Sequence, residues 1–364
     1  MAHARRSQAE TLRAALRSAL LAWYDRHRRD LPWRKTTDAY RIWVSEVMLQ
    51  QTTVKTVLPY YSAFVSRFPT LQALAEEPEE EVLAAWSGLG YYHRARNLHR
   101  GVQHVAERHA GQFPRSLEAA LAVPGVGLYT ASAVLSIAHG LPLPVVDGNV
   151  RRVLARLLAL RGPQFLKDGP YYNRAEELLD RERPGDWNQA LMELGATVCL
   201  PRKPACAACP LRGSCQARAL GIADELPEGR PRRAPVDVTV AAALVERDGR
   251  VLLVRRPRGR LLDRMWEVPQ TSLDSRGRRD LARELEERHG LHVVPGPLAV
   301  RARHAVTHRR ITLEGYRTRL RPPVPEDPER FLWARPEEVA RLAVASSTRK
   351  LLRGLSAPQL PLEL

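Results

Sequence analysis

The chain has 364 residues, 44% of them hydrophobic, which is room for two ordinary domains that each bury a core and excludes a low-complexity polypeptide. Lys and Arg number 57 against 40 Asp and Glu, and the formal charge of +17 suits a polyanionic partner such as nucleic acid. Only five of the basic residues are lysine (Lys35, Lys55, Lys167, Lys203 and Lys350), so coding bias accounts for the arginine excess as readily as phosphate binding does.

From Met1 to Asp30, arginines interrupt an amphipathic pattern of Leu12, Leu16, Leu20, Leu21 and Trp23, leaving no apolar run long enough for a signal peptide. No transmembrane span is predicted anywhere. From Ala9 to about Leu220 the apolar residues recur at helical spacing, with Pro and Gly punctuation at intervals of roughly 12 to 20 residues. The first domain is therefore expected to be all-α, over residues 1–220. Within it, Trp43, Val44, Val47 and Met48 flank Glu46 on one predicted helix, which continues into Gln51 and Thr52. An acid so placed is either a surface residue at the edge of an apolar stripe or a proton donor kept neutral near pH 7 by burial. The pattern leaves both open. Farther on, Leu89 and Tyr91 stand between and after glycines in Gly88-Leu89-Gly90-Tyr91-Tyr92-His93, by pattern an ordinary loop.

A short helix over Leu117–Ala122, a tight turn Val123-Pro124-Gly125-Val126-Gly127 and a second helix over Tyr129–Ala138 make a helix-hairpin-helix. Gly125 and Gly127 free the backbone to approach a phosphate, and the N–H groups opening the second helix offer an anion site. After a Gly/Pro loop comes Pro144-Val145-Val146-Asp147-Gly148-Asn149-Val150, where Asp147 is by default an N-cap. Cys199, Cys206, Cys209 and Cys215 follow with the spacing C-x6-C-x2-C-x5-C. Four thiolates within 17 residues exclude a scattered disulfide framework and suit zinc or a 4Fe-4S cluster in a reducing compartment. A zinc ribbon usually pairs two C-x2-C knuckles, and only one is present. Arg202, Lys203, Arg212 and Arg218 in and after this loop are candidate phosphate contacts.

Ile222–Asp237 carries three prolines and no apolar period, and reads as a connector, with the linker set at 221–236 and a second domain at 237–364. There the period changes to two. Val238–Val245, an Asp248-Gly249 turn and Val251–Arg255 form a strand-turn-strand signature, followed by a helix over Asp280–His289, alternating runs near Leu298–Val306 and Arg310–Leu320, and a terminal helical stretch. This predicts an α+β module.

The order of hairpin, Gly/Pro loop, Asp147 and cysteine ladder resembles the helix-hairpin-helix glycosylases of the endonuclease III superfamily over roughly residues 10 to 216. Within that superfamily, Leu31-Pro32-Trp33-Arg34, the Ser45-Glu46-Val47-Met48-Leu49-Gln50-Gln51-Thr52 segment and the Gly88–Leu98 segment resemble adenine DNA glycosylases of the MutY type. The resemblance implies a 4Fe-4S cluster on the four cysteines, and Glu46 as the acid that protonates adenine N7. It implies Asp147 as the carboxylate facing the sugar of an extruded nucleotide, supported, like Glu46, by Tyr129 and Asn149. It also implies Gln189 and Arg34 on the substrate side, and Gln51, Thr52, Leu89 and Tyr91 wedged into the duplex beside 8-oxoguanine. In bifunctional relatives a lysine attacks the sugar; here its place is Tyr129, and a second lysine found in some adenine glycosylases is Arg151. A monofunctional enzyme follows.

In the second domain, Arg283-Glu284-Leu285-Glu286-Glu287-Arg288 resembles the core of a Nudix box, with Met265–Pro269 as the preceding strand. Arg288 stands where the box wants a second glutamate, and Pro269 and Ser275 replace the expected Gly and Glu, so the fold is expected without the metal chemistry. MutY-type enzymes read 8-oxoguanine with such a domain, through a Phe-Ser-His triplet whose counterpart here is Val306-Thr307-His308. The implied partner is duplex DNA with adenine opposite 8-oxoguanine or guanine, bound by a monomer in the nucleoid-containing cytoplasm. Rival readings are an endonuclease III-like lyase that cuts the strand, a nucleotide-pool Nudix hydrolase, and a non-catalytic iron–sulfur DNA-binding module.

Overall fold

The computed structural model describes residues 2–229, 234–256, 264–273, 275–306, 308–323, 326–339 and 342–356. They form two compact units, one comprising Met1–Glu76 and Asn97–Arg232, the other Glu77–Arg96 and Arg233–Leu364. Glu77–Arg96, expected in the first domain from its helical period, thus groups with the second unit, a tertiary assignment that local periodicity does not encode.

The helices run in order α1 (Ala2–His27), α2 (Ala39–Leu49), α3 (Val54–Arg67), α4 (Leu71–Glu76), α5 (Glu79–Ala85), α6 (His93–Arg108), α7 (Leu117–Leu121), α8 (Leu128–His139), α9 (Gly148–Leu157), α10 (Gly169–Leu178), α11 (Pro184–Thr197) and α12 (Gln216–Ala219). One core of the first unit joins α1, α9, α10 and α11 through Leu20, Tyr24, Leu154, Tyr171, Trp187 and Leu191, each at most 1% exposed. Burying such side chains contributes about 1.5–3 kcal/mol apiece. The α7–α8 pair is the expected hairpin. Gly125 sits at φ +79° and a Cβ there would meet Asn97 Cβ at 2.6 Å, so the turn requires glycine, whereas open space faces Gly127. No helix among the described residues is long and apolar enough to cross a membrane.

In the second unit β1 (Val236–Leu244) pairs in parallel with β6 (Arg309–Leu320), which pairs with β5 (Val293–Val306). A second sheet joins β2 (Glu246–Arg247), β3 (Arg250–Arg255), β4 (Trp266–Glu267) and β7 (Phe331–Ala334). The strand-turn-strand expectation is thereby corrected. The Asp248-Gly249 turn closes only the short β2–β3 ladder, and β1 leaves for another sheet. The reason is the burial of its second half on both faces: Val240, Ala242 and Leu244 face the core that includes Leu351 of α14 (Ser346–Ser356), while Ala241 and Ala243 face Leu281 and Leu285 of α13 (Arg278–His289). β5 begins five residues before the expected Leu298, because bulges between Pro295 and Val300 accommodate the prolines. β7, four residues without alternation, had no sequence signal.

Candidate active site

Asp38 caps α2, its carboxylate accepting from Tyr40 N and Arg41 N, and the helix then runs buried from Ile42 to Met48. Glu46 is consequently 5% exposed. Burial pushes its pKa up to about 7, with Asp147 adding to the rise and a hydrogen bond from Tyr129 opposing it. The Tyr129 hydroxyl, on the first turn of α8, donates to Glu46 Oε2 at 2.6 Å. Its own pKa is raised by burial and by the neighbouring Glu46.

Asp147 is the N-cap of α9. Its Oδ1 accepts from Val150 N at 2.7 Å and its Oδ2 from Asn149 Nδ2 at 2.9 Å. Burial raises its pKa, and these hydrogen bonds, which favour the carboxylate, oppose the rise. Glu46, Tyr129, Asp147, Asn149, Arg34 and Gln189 line one cavity of about 890 Å³, joined at its edge by Gln51 and Thr52. Gln51 is exposed in left-handed backbone at φ +58°. Two carboxyl groups share this cavity, one with its pKa pushed up to about 7 by burial and one accepting two hydrogen bonds, an arrangement that can supply both a proton donor and a hydrogen-bonded carboxylate.

Several lining residues lack a signal in linear sequence. Glu193, fully buried one turn after Gln189 on α11, accepts from Arg29 Nε at 2.8 Å and from Arg34 Nη2 at 2.7 Å. Burial alone would raise its pKa, but these guanidinium bonds hold it at about 2. Arg34 is thereby fixed, with its guanidinium also 5.5 Å from the Tyr24 ring centroid. Arg152 Nη2 bonds Asn149 Oδ1 at 2.9 Å, and its Nε reaches the Cys199 carbonyl at 2.8 Å. This needs α9 and α11 in close approach, which Gly195 permits: a Cβ there would lie 2.5 Å from Asn149 Cβ. Only the i, i+4 spacing of Arg152 and Arg156 hinted at a shared role.

The four cysteines line one small cavity with Arg156. Arg156 is buried and donates to the carbonyls of Leu200, Pro201 and Leu226, and to Cys199 Sγ at 3.4 Å. Burial pushes the Cys209 thiol up to about 11, and the three other sulfurs add to the rise. Among the described residues no three His, Cys, Asp or Glu side chains converge as ligands of a single metal ion. Arg202, Lys203, Arg212 and Arg218 are exposed around this loop.

In the second unit Tyr91 is 42% exposed and Leu89 only 6%. His308 lies in the β5–β6 turn, half-buried, and Thr307 falls outside the described residues. At the Nudix-like helix, Glu284 accepts from Ser272 N at 2.7 Å with Arg288 at 3.8 Å, and buried Glu267 is paired with Arg256 at 2.7 Å. Guanidinium groups thus neutralise the carboxylates that remain.

Residues 44–167 match the HhH-GPD superfamily of base excision DNA repair proteins, and residues 240–354 match the NUDIX domain. The chain is 36% identical to a Homo sapiens adenine DNA glycosylase, covering 93% of this chain and 73% of that protein. It is 39% identical to one from Arabidopsis thaliana over 71% of this chain and 48% of that protein. Among solved structures, a thermostable thymine-DNA glycosylase superposes with a TM-score of 0.53 at 30% identity, over 58% of this chain and 99% of that one.

Proposed function

The chain belongs to the adenine DNA glycosylases of base excision repair, and from that membership we propose that it removes adenine opposite 8-oxoguanine or guanine in duplex DNA without cutting the strand. The observation that carries this reading is the 2.6 Å Tyr129–Glu46 hydrogen bond inside a cavity shared with Asp147. Glu46, protonated near neutral pH, gives its proton to adenine N7. The C1′–N9 bond then breaks with its electron pair on the base. Positive charge left on the sugar is stabilised by the Asp147 carboxylate until water adds at C1′ and gives its proton to the Glu46 carboxylate. Arg34, held by Glu193, and Gln189 read the adenine edge. Gln51, Thr52 and Tyr91 contact the duplex, where extrusion is least costly at a mispair. Leu89 joins them only by leaving its buried position. The Gly125–Gly127 turn takes a phosphate at the α8 N-terminus. Thr307 and His308 remain candidates for the 8-oxoguanine contact, residues 1–220 for the catalytic domain, and the cytoplasmic nucleoid for the location.

Monofunctionality is supported by the cavity lining, in which no lysine figures among the described residues. Arg151 instead bonds the Phe165 carbonyl at 2.8 Å, 5.1 Å from the Tyr171 ring centroid. Incubation with adenine opposite each of the four bases and opposite 8-oxoguanine is expected to give strand breaks only after alkali, fastest opposite 8-oxoguanine. Breaks without alkali would overturn the monofunctional reading, and equal rates opposite all bases the specificity.

A 4Fe-4S cluster fits the four cysteines, because all four sulfurs line one cavity and such a cluster takes one thiolate per iron. Cys199, Cys206, Cys209 and Cys215 would hold the cluster, which would staple their loop, and Arg152 and Arg156 tie that loop to the helix opening at Asp147. The purified protein is expected to carry about four iron and four sulfide per chain; stoichiometric zinc in place of iron would refute the assignment.

A further inference from the structure

The Gly88–Tyr91 turn is held in one shape by buried neighbours. Gly88, Gly90 and Tyr91 all have positive φ, at 110°, 73° and 48°. Trp86 Nε1 and Arg94 Nη2 both donate to the Gly90 carbonyl at 3.2 Å. The Arg94 guanidinium lies between the rings of Trp86 and Tyr91, at 5.4 and 5.5 Å. The turn thus presents Tyr91 outward and Leu89 inward.

Tyr92, 2% exposed, ties this turn to the strands beyond Arg233, with which Glu77–Arg96 forms one compact unit. Its hydroxyl accepts from Gly88 N at 3.2 Å, lies 3.3 Å from Ser87 Oγ and donates to the Val344 carbonyl at 3.2 Å. A phenol has one proton and two acceptor sites. With its proton on Val344, it accepts from Gly88 and Ser87, and its capacity is filled. Val344 itself is fixed, since Trp266 N donates to Ala343 O and Ala345 N donates to Trp266 O on either side of it. The same segment is attached a second time through Glu80, which pairs with Arg255 and Arg264.

We infer that Tyr92 is a positioning residue, whose hydroxyl holds the Gly88–Tyr91 turn in register with Val344 so that Tyr91 enters the duplex as part of the Nudix-like unit. The inference rests on the wedge and 8-oxoguanine readings above. Its consequence is that the body that reads the base opposite adenine also carries a wedge. Engagement of the lesion then sets the depth of Tyr91, and extrusion of adenine is coupled to recognition of its partner.

The test places 2-aminopurine, whose fluorescence rises on unstacking, beside a non-hydrolysable adenosine analogue opposite 8-oxoguanine. Tyr92→Phe keeps the ring and removes the three bonds. It is expected to slow the fluorescence rise about tenfold, the factor carried by losing a buried hydrogen-bond partner. The pH dependence of adenine release from a cleavable duplex is expected to stay that of the wild type, because Glu46 is untouched. Glu80→Gln, which weakens only the second attachment, is expected to leave the rise unchanged. A wild-type rate in Tyr92→Phe overturns the inference, as does equal slowing by Glu80→Gln, which would make attachment rather than register the cause. Should Tyr92→Phe melt early, Ser87→Ala removes one bond of the three, and an unaltered rise there overturns the inference as well. Absence of any rise with the wild-type protein removes the wedge reading and the inference with it.

Discussion

Glu46→Gln is expected to reduce adenine release by about 10³- to 10⁴-fold, the upper part of the range that a positioned general acid supplies. The amide preserves the shape and can accept the Tyr129 hydroxyl, so the cavity survives while the transferable proton is lost. Single-turnover release from an adenine·8-oxoguanine duplex measures this, and a variant with wild-type rates would eliminate Glu46 as the acid. The same residue sets a pH profile. Its pKa is about 7 in the folded chain against an ordinary 4.5, so the acid is loaded below neutrality and release should fall as pH rises through 7. Stability changes in the same direction. Between the two values the folded state binds more protons than the unfolded one, so the stability contributed is complete below the unfolded value and lost as pH rises through the folded one. The change is on the order of 3 kcal/mol. Because Gln carries no such proton, Glu46→Gln should melt above the wild type at about pH 8 and near it at about pH 5. Identical melting profiles would contradict the burial argument.

Asp147→Asn separates the two roles of that residue. Asn caps helices about as well as Asp, so the bond from Val150 N and the start of α9 should persist, with thermal stability near that of the wild type. What disappears is the negative charge proposed to face the sugar. Losing electrostatic stabilisation of a developing charge typically costs about 10²- to 10³-fold in rate. Asp147→Ala is expected to match that kinetic loss and in addition to lower stability by about 1 kcal/mol through the missing cap. Single-turnover assays with thermal melts of both variants make the comparison. If Asp147→Asn kept more than a tenth of the wild-type rate, the residue would be a cap and little else.

What the sequence determined by itself is what local chemistry encodes. The cysteine spacing gathered four thiols within 17 residues, a set suited to zinc or an iron–sulfur cluster. Pro124 and Gly125 mark the hairpin because its positive-φ turn demands glycine at 125, and Asp147 before Gly148-Asn149-Val150 announces a helix start. Apolar periods of 3.6 and 2 divided an α from an α+β region, and Arg288 and Ser275 showed a Nudix-like box lacking two of its carboxylates. Whether Glu46 was a surface residue or a buried acid stayed open, because its burial and its bond to Tyr129, 83 positions away, come from helices that only the fold brings together. The Arg29–Glu193–Arg34 cluster spans separations of 159 to 164 residues, which no periodic pattern records. Likewise, β1 took β6 as its partner, pairing Val236 with Arg309, and Glu77–Arg96, helical in pattern, belongs with the strands through Tyr92 and Glu80. Periodicity states which face of an element is apolar. Only packing, which minimises exposed apolar surface and unpaired polar groups over the whole chain, decides what that face meets.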